Sequence, residues 1–451
     1  MGSTNRKKVG LVFFPAFDWA ISSDHPEREE RLLYTRDQIV EEGLLDVPGI
    51  EEFRPTVADE NQIDRVHVCV PSTSEVVTKS HMIAAGGTIT AADLVFTGQV
   101  DRAFAVLRPP GHHANRIVHG SRGFCTINTE AIMVEHIRHT YGPHLRIAIV
   151  DTDAHHGDGT QDIFYNDPGV LHISIHQDGR TLYPGSGFTN ERGGPKAYGH
   201  TINVPLPPGT GDEGLLYVLN ELVLPILADY QPDIVINAAG QDNHYSDPLT
   251  NMNVTAQGYA QLTELLAPDL VVLEGGYSIE GALPYVNAAL LLALAGLDYS
   301  QAVEPDFPGH KIRQRPQVTE TVKTVVGELQ NMWVSRRDVD LGRIFGEGHI
   351  FERQRSIYYD TDGIVEEQKE QIRLCSVCSG WRFIQSGASR GFGRTTIAAA
   401  VLIPRHVCSE CENQAQDLYE AALKKRGFHY VYLQDAGNDI FLKAQRKSGT
   451  K

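Results

Sequence analysis

Ile147-Ala-Ile-Val-Asp151-Thr-Asp153-Ala-His155-His156-Gly157-Asp158-Gly159 is the stretch that decides the fold. Its first four residues are apolar at consecutive positions, which marks a strand covered on both faces, as in a parallel sheet, and the polar run after it marks a loop. Val9 to Phe14, Ala103 to Leu107, Val170 to Ile175, Asp233 to Asn237 and Leu270 to Leu273 read the same way. Between them, Arg28 to Glu42, Thr129 to His139, Gly214 to Tyr230 and Ala256 to Leu266 have apolar residues at helical spacing. The alternation predicts an α/β, three-layer fold with a central, mainly parallel sheet. Such folds do their chemistry in loops beyond the carboxyl ends of the strands.

Past Leu297 the alternation fades. Pro305, Pro308 and Pro316 lead into a predicted helix from Thr319 to Trp333, and a boundary falls near Asp340. A catalytic domain over residues 1–340 and a second domain over 341–451 are expected, since 451 residues exceed one ordinary core. With 41% hydrophobic and 22% charged residues the composition is that of a globular protein. A net charge of -17 argues against gripping phosphate backbones, so nucleic acid is not expected as a partner. Val9 to Phe14 is too short for a signal segment and runs into Pro15, and no stretch is long enough to span a membrane. A cytoplasmic location follows as an expectation.

Four polar clusters follow four of the apolar runs. In extended chain alternate residues share a side, so Asp151, Asp153 and His155 offer two carboxylates and an imidazole to one point. Arg108-Pro-Pro-Gly-His112-His113 follows a second run and supplies two adjacent imidazoles suited to proton transfer, with Asp151 and Asp158 available to orient them. Ala239-Gly-Gln-Asp242-Asn-His-Tyr-Ser-Asp247-Pro follows a third and adds Asp242. Glu274-Gly-Gly-Tyr277 follows a fourth and puts a phenol on a glycine hinge, where it can meet a developing oxyanion. Any one cluster alone reads as caps and surface polar groups; four in succession read as an active site. His119, His176 and His244 read as packing histidines, and Gly185 and Gly187 as turn glycines.

In this order and after these strands, the four clusters resemble the histone deacetylase family, whose fold is shared with arginases, over about residues 8 to 300. The resemblance implies a hydrolase that removes acetyl or other acyl groups from lysine side chains or related amines. It implies a catalytic zinc on Asp153, His155 and Asp242, His112 with Asp151 and His113 with Asp158 as general base and acid, His113 taking the acid's part, and Tyr277 at the oxyanion. Phe124 and Tyr183 resemble the walls of an acyl-lysine channel, with Gly276 and Leu249 at its lining. Asp151, Ser174 and the main chain of His155 and Ile175 resemble a monovalent-cation site, usually potassium. The chain departs from the family pattern in a longer stretch from His113 to Gly123 and in Thr129, which stands where Asn or Asp is usual. The segment Pro71 to Met82 is also short, with no match to the rim aspartate that clamps a peptide.

Leu249 stands where the polyamine-preferring branch has a glutamate, which favours acyl-lysine over acetylpolyamine or another small amide. A second metal of the arginase kind would want a carboxylate at Gly157. A zinc-dependent binding module with a silent core is the alternative from another class.

Cys375-Ser-Val-Cys378 and Cys408-Ser-Glu-Cys411 are two C-x-x-C knuckles whose four thiolates can close a structural zinc site. A helix through Ala415, Leu418, Ala422 and Leu423, then strands Phe428 to Leu433 and Ile440 to Ala444, complete a predicted zinc-ribbon-like α+β module. Lys424, Lys425 and Arg426 read as a solvated helix end. The module is a candidate for self-association into a homo-oligomer or for covering the active-site rim.

Overall fold

The computed structural model describes residues 6–16, 19–22, 24–391 and 393–446. Eight strands form the main sheet: β1 (Val9–Phe13), β2 (Ile50–Phe53), β3 (Arg102–Val106), β4 (Ile147–Asp151), β5 (Val170–Gln177), β6 (Thr201–Leu206), β7 (Ile234–Ala239) and β8 (Leu270–Leu273). They pair in the order β2-β1-β3-β8-β7-β4-β5-β6, and every pairing is parallel. The consecutive apolar positions are explained by two cores. Phe104, Val106, Ala148 and Val150 join one with Leu32, Tyr259 and Leu290; Ala103, Ala105, Ile147 and Ile149 join the other with Ile89 and Val134. Each large apolar side chain so buried contributes about 1.5–3 kcal/mol. The central strands β3, β8, β7 and β4 are neighbours, so the four polar clusters emerge side by side at one edge.

Two long helices were not legible in the sequence, Lys79–Phe96 and Leu283–Leu294. Both are buried on nearly every side, as the fully apolar run of the second shows, and a helix covered all round has no polar face to reveal its period. The expected helix after Pro316 spans Pro316–Ser335 and closes the first core through Val322, Val326, Leu329 and Trp333. Among the described residues no helix is long and apolar enough to cross a membrane.

A second sheet contains β9 (Ile350–Tyr359), β10 (Ile364–Arg373), β11 (Arg382–Arg390), β12 (Thr396–Ile403), β13 (Tyr430–Asp435) and β14 (Ile440–Gln445), paired in chain order. Only β12 and β13 are parallel, joined through the helix Ser409–Lys424. The unit is α+β as expected, but it is larger than the three elements read from sequence. Its strand β10 carries Glu, Gln, Lys or Arg at seven of ten positions and β9 at four of ten, which hid them.

This second sheet packs against the first unit. Val68, Val70 and Ile117 join Ile384, Ala398, Ala400, Leu402 and Tyr432 in one apolar cluster. Beside it the buried carboxylate of Asp162 meets Arg355 at 2.8 Å, Arg353 at 3.1 Å and Arg382 at 3.6 Å, and Arg353 and Arg382 also bind Glu370. Burial opposes charge on both acids, but the guanidinium groups outweigh it. They hold Glu370 at about 2, against an ordinary value of 4.5, and Asp162 well below the usual carboxylate range. Depressed carboxylates stabilise the fold above their unfolded pKa and lose that contribution as pH falls through the folded one. Melting temperature, followed by calorimetry, is therefore expected to fall steeply between pH 4.5 and 2, and less so in Glu370→Gln; equal slopes would remove this cluster from the docking.

Candidate active site

Asp153 and Asp242 are fully buried and close on the imidazole of His155. His155 Nδ1 lies 3.1 Å from Asp153 Oδ1 and 2.9 Å from Asp242 Oδ2. The three ligand atoms fall within 4.8 Å of one another. Main-chain N–H groups fix the carboxylates: Ala154 donates to Asp242 Oδ1 at 2.7 Å, His155 to Asp153 Oδ1 at 2.8 Å and Gly275 to Asp153 Oδ2 at 2.7 Å. Burial and the neighbouring Asp153 push Asp242 up to about 7. His155 rises to about 10 despite its burial, because both carboxylates bind it. Two buried carboxylates and one imidazole facing each other are the donor set that a divalent cation such as zinc requires, with a position left for a reactant.

The flanking glycines make this closeness possible. A Cβ on Gly275 would lie 2.5 Å from Asp242 Oδ2 and 2.6 Å from Asp153 Oδ2. One on Gly157 would lie 2.0 Å from Asp151 Oδ2, so the position where an arginase-type site wants a carboxylate has no room for one.

Beside the trio stand two His–Asp pairs. His112 Nδ1 is 3.1 Å from Asp151 Oδ2, and its Nε2 is 3.8 Å from Asp153 Oδ1. His113 Nδ1 is 2.9 Å from Asp158 Oδ1, which leaves its Nε2 free of that bond. The environments separate the two rings. Burial disfavours charge on His112, but Asp153 and Asp151 hold its pKa well above the ordinary value. Burial and the adjacent His112 lower His113 to about 3. Asp158, despite burial, stays below the carboxylate range because Arg122 Nη1 lies 2.5 Å from its Oδ2.

The aromatic residues surround this group. Phe124 meets Tyr277 edge to face at 5.5 Å, and Tyr183 lies 5.2 Å from His113 and 6.4 Å from His155, between ring centroids. Tyr277 donates its main-chain N–H to Asp247 Oδ2 at 2.7 Å, and Asp247 Oδ1 accepts from Leu249 at 2.9 Å, which ties the exposed Leu249 side chain to the same loop. Gly276 has φ +122°, and its carbonyl accepts from Arg31. Asp151 and Ser174 are opposite one another in the β4–β5 register, with Ile175 next along the strand. His176 bonds Ser174 and Gly187, His119 bonds Ser386 and His244 bonds Glu304, as suits packing histidines.

Sequence reasoning missed a buried ionic group beneath the site. Glu27 accepts from Arg108 Nη2 at 2.7 Å and Arg31 Nη1 at 3.0 Å, while Arg31 donates to the carbonyls of Glu274 at 2.6 Å and Gly276 at 2.7 Å and lies 5.0 Å over the Tyr277 ring. The Glu27 to Arg31 spacing of one helical turn was the available signal. Glu274 was quoted without a role; its Oε2 accepts the N–H groups of Gly111 and His112 at 2.8 and 3.1 Å and so sets the histidine loop.

Far along the chain, Cys375, Cys378, Cys408 and Cys411 also converge, their ligand atoms within 4.8 Å of one another. Cys408 Sγ lies 3.9 Å from Cys375 Sγ and 3.7 Å from Cys378 Sγ. Main-chain N–H groups, against the cost of burial, bring Cys375 down to about 6, where a thiolate is readily formed.

The sequence pattern of the histone deacetylase domain matches residues 25–293. A probable deacetylase of Archaeoglobus fulgidus is 43% identical over 331 residues, covering 66% of this chain and 89% of that one. The chain belongs to the histone deacetylase family. The acetoin utilization protein AcuC of Bacillus subtilis is 31% identical over 334 residues, covering 66% of this chain and 84% of AcuC. The crystal structure of the HDA15 HD domain superposes with a TM-score of 0.63 at 28% identity, over 73% of this chain and 96% of that one. Membership makes this a hydrolase of the deacetylase type, and the family match ends before the second sheet begins at Ile350. Gly275→Ala is expected to weaken divalent-cation binding at the trio at least tenfold, read by titration with cobalt(II), while the circular-dichroism spectrum stays native; undiminished affinity would show that Asp153 and Asp242 do not share an ion.

Proposed function

We propose that this family member is a zinc-dependent amidohydrolase that removes acetyl or other acyl groups from lysine side chains or related amines. The observation that carries the reading is the buried Asp153, His155 and Asp242 trio lying against two His–Asp pairs. Zinc held by that trio would polarise the amide carbonyl and lower the pKa of water. His113 is neutral at physiological pH, and its Nδ1 bond to Asp158 leaves Nε2 to take a proton as water adds to the carbonyl carbon. The same ring then returns that proton to the amine nitrogen as the C–N bond breaks, so it serves as base as well as acid. His112, 3.1 Å from Asp151 Oδ2 and 3.8 Å from Asp153 Oδ1, is set to hold positive charge beside the developing oxyanion, in place of the base role expected for it. The Tyr277 hydroxyl is the second donor to that oxyanion.

Phe124 and Tyr183 form the walls for an apolar acyl-amine stem, Gly276 contributes main chain to the lining, and Leu249 keeps it without charge. Leu249 favours an acylated lysine in a peptide or protein, with acetylpolyamines or other small amides as the second substrate class. We assign a structural zinc to Cys375, Cys378, Cys408 and Cys411, and a potassium ion to Asp151, Ser174 and the main chain of His155 and Ile175. The register partnership of Asp151 with Ser174 supports the latter. We divide the chain into a catalytic domain over 1–340 and a second over 341–451, a reading supported by the place of the helix Pro316–Ser335 in the first core and of Ile350 at the start of the second sheet.

A panel of acylated lysine peptides, acetylpolyamines and small amides tests the reading on wild type beside Tyr277→Phe. Removal of one oxyanion donor typically costs about 100- to 1,000-fold in kcat. A loss of that size with zinc content unchanged is the expected result; full activity in the variant would take Tyr277 out of the reaction, and a wild type that hydrolyses none of the panel would refute the deacylase reading.

A further inference from the structure

The loop that carries Arg122 and Phe124 is held from the C-terminal sheet. Tyr359 Oη lies 3.0 Å from the Ile117 carbonyl and 2.7 Å from Glu366 Oε2, and His119 Nε2 lies 2.8 Å from Ser386 Oγ. At the turn between β9 and β10, Asp362 Oδ2 accepts the Ser121 N–H at 2.7 Å, and a Cβ on Gly120 would lie 2.3 Å from that oxygen. Asp360 Oδ1 accepts the Gly123 N–H at 3.0 Å. Gly123 and Phe124 both have positive φ, at +52° and +68°, so this loop holds an uncommon backbone shape beside His113. The hairpin thus reaches the mouth of the channel from outside the family domain.

Asp362 is engaged by Arg390 at 3.0 Å, but Asp360 is exposed and has no ion-pair partner among the described residues. Its Oδ1 accepts from Gly123 and Thr361, and among the described residues no hydrogen bond reaches its Oδ2. The bond to Gly123 sets Asp360 one residue from Phe124, whose ring His25 meets edge to face at 4.4 Å. Arg122, in the same loop, is held by Asp158 at 2.5 Å. An exposed carboxylate oxygen, which only accepts, is left beside Phe124.

We infer that Asp360 is a specificity-determining residue of the active site, contributed by the C-terminal unit, whose free oxygen receives a cationic group that the substrate carries beyond its acylated nitrogen. The inference rests on the deacylase reading for what enters the channel. A neighbouring Lys or Arg in an acyl-lysine peptide and a distal ammonium of an acylated polyamine share this chemistry. The segment Pro71 to Met82 has no match to the rim aspartate of the family pattern, and Asp360 would bring a carboxylate to the rim from another direction.

Asp360→Asn removes the charge and keeps an oxygen for the Gly123 N–H. Binding to the full chain is titrated with three ligands: an acetyl-lysine peptide flanked by Arg, the same peptide flanked by Ala, and a monoacetylated diamine. A partly exposed ion pair is worth about fivefold in affinity. Wild type should prefer the Arg peptide over the Ala peptide by about that factor, the preference should weaken with salt, and in Asp360→Asn it should fall to about one. A parallel loss for the diamine assigns the subsite to free ammonium groups as well, and a loss confined to the peptide assigns it to flanking residues. A wild type without preference, or a preference that survives the substitution, would overturn the inference. Titration reads Asp360 whether or not the ligands are hydrolysed, so its failure is distinct from failure of the deacylase reading.

Discussion

Asp153 and Asp242 are two fully buried carboxylates brought against one imidazole, and a pair of like charges out of water is tolerated only when a proton or a cation is shared between them. Much of the surrounding structure serves that approach. Neighbouring strands β4, β7 and β8 deliver the two acids and the Gly275 N–H that fixes one of them, and glycines at 240 and 275 leave the space. The cost of such a site is met by the sheet beneath it, whose two cores bury the central strands on both faces.

Below the trio, a second buried charge group sets the geometry of the proton-transfer and oxyanion residues. Glu27 binds both Arg31 and Arg108, and Arg31 holds the carbonyls on both sides of Gly275. Removing one partner of such a group typically costs about 3–5 kcal/mol, because the others are left unpaired and dry. The Tyr277 loop is thereby fixed from beneath by Arg31 and from its side by Asp247, while Phe124 meets it from the opposite wall.

The parallel sheet was readable because strands buried on both faces show as uninterrupted apolar runs, and the polar clusters were readable because they follow those runs directly. Asp153 and His155 do meet at one point, but the chain bends there, Asp151 faces His112 and Asp242 completes the trio. What sequence could not show has two causes. The helices Lys79–Phe96 and Leu283–Leu294 lie buried nearly all round and lack a polar face, and β9 to β11 carry buried charges that pair across strands and across the two units, as Arg353 and Arg382 do with Glu370 and Asp162. Partnerships separated by about 200 residues leave no local pattern. The Asp360 and Asp362 contacts with the loop at Gly120 to Phe124 are of the same kind, and they make the C-terminal unit part of the site's wall.

X-ray absorption at the zinc edge of the purified full chain is the most direct measurement of the central claim. Two zinc equivalents are predicted, one bound by four sulfurs and one by nitrogen and oxygen donors, with the second lost on Asp242→Ala and the first retained. A spectrum of sulfur-bound zinc alone, unchanged by that substitution, would contradict the account.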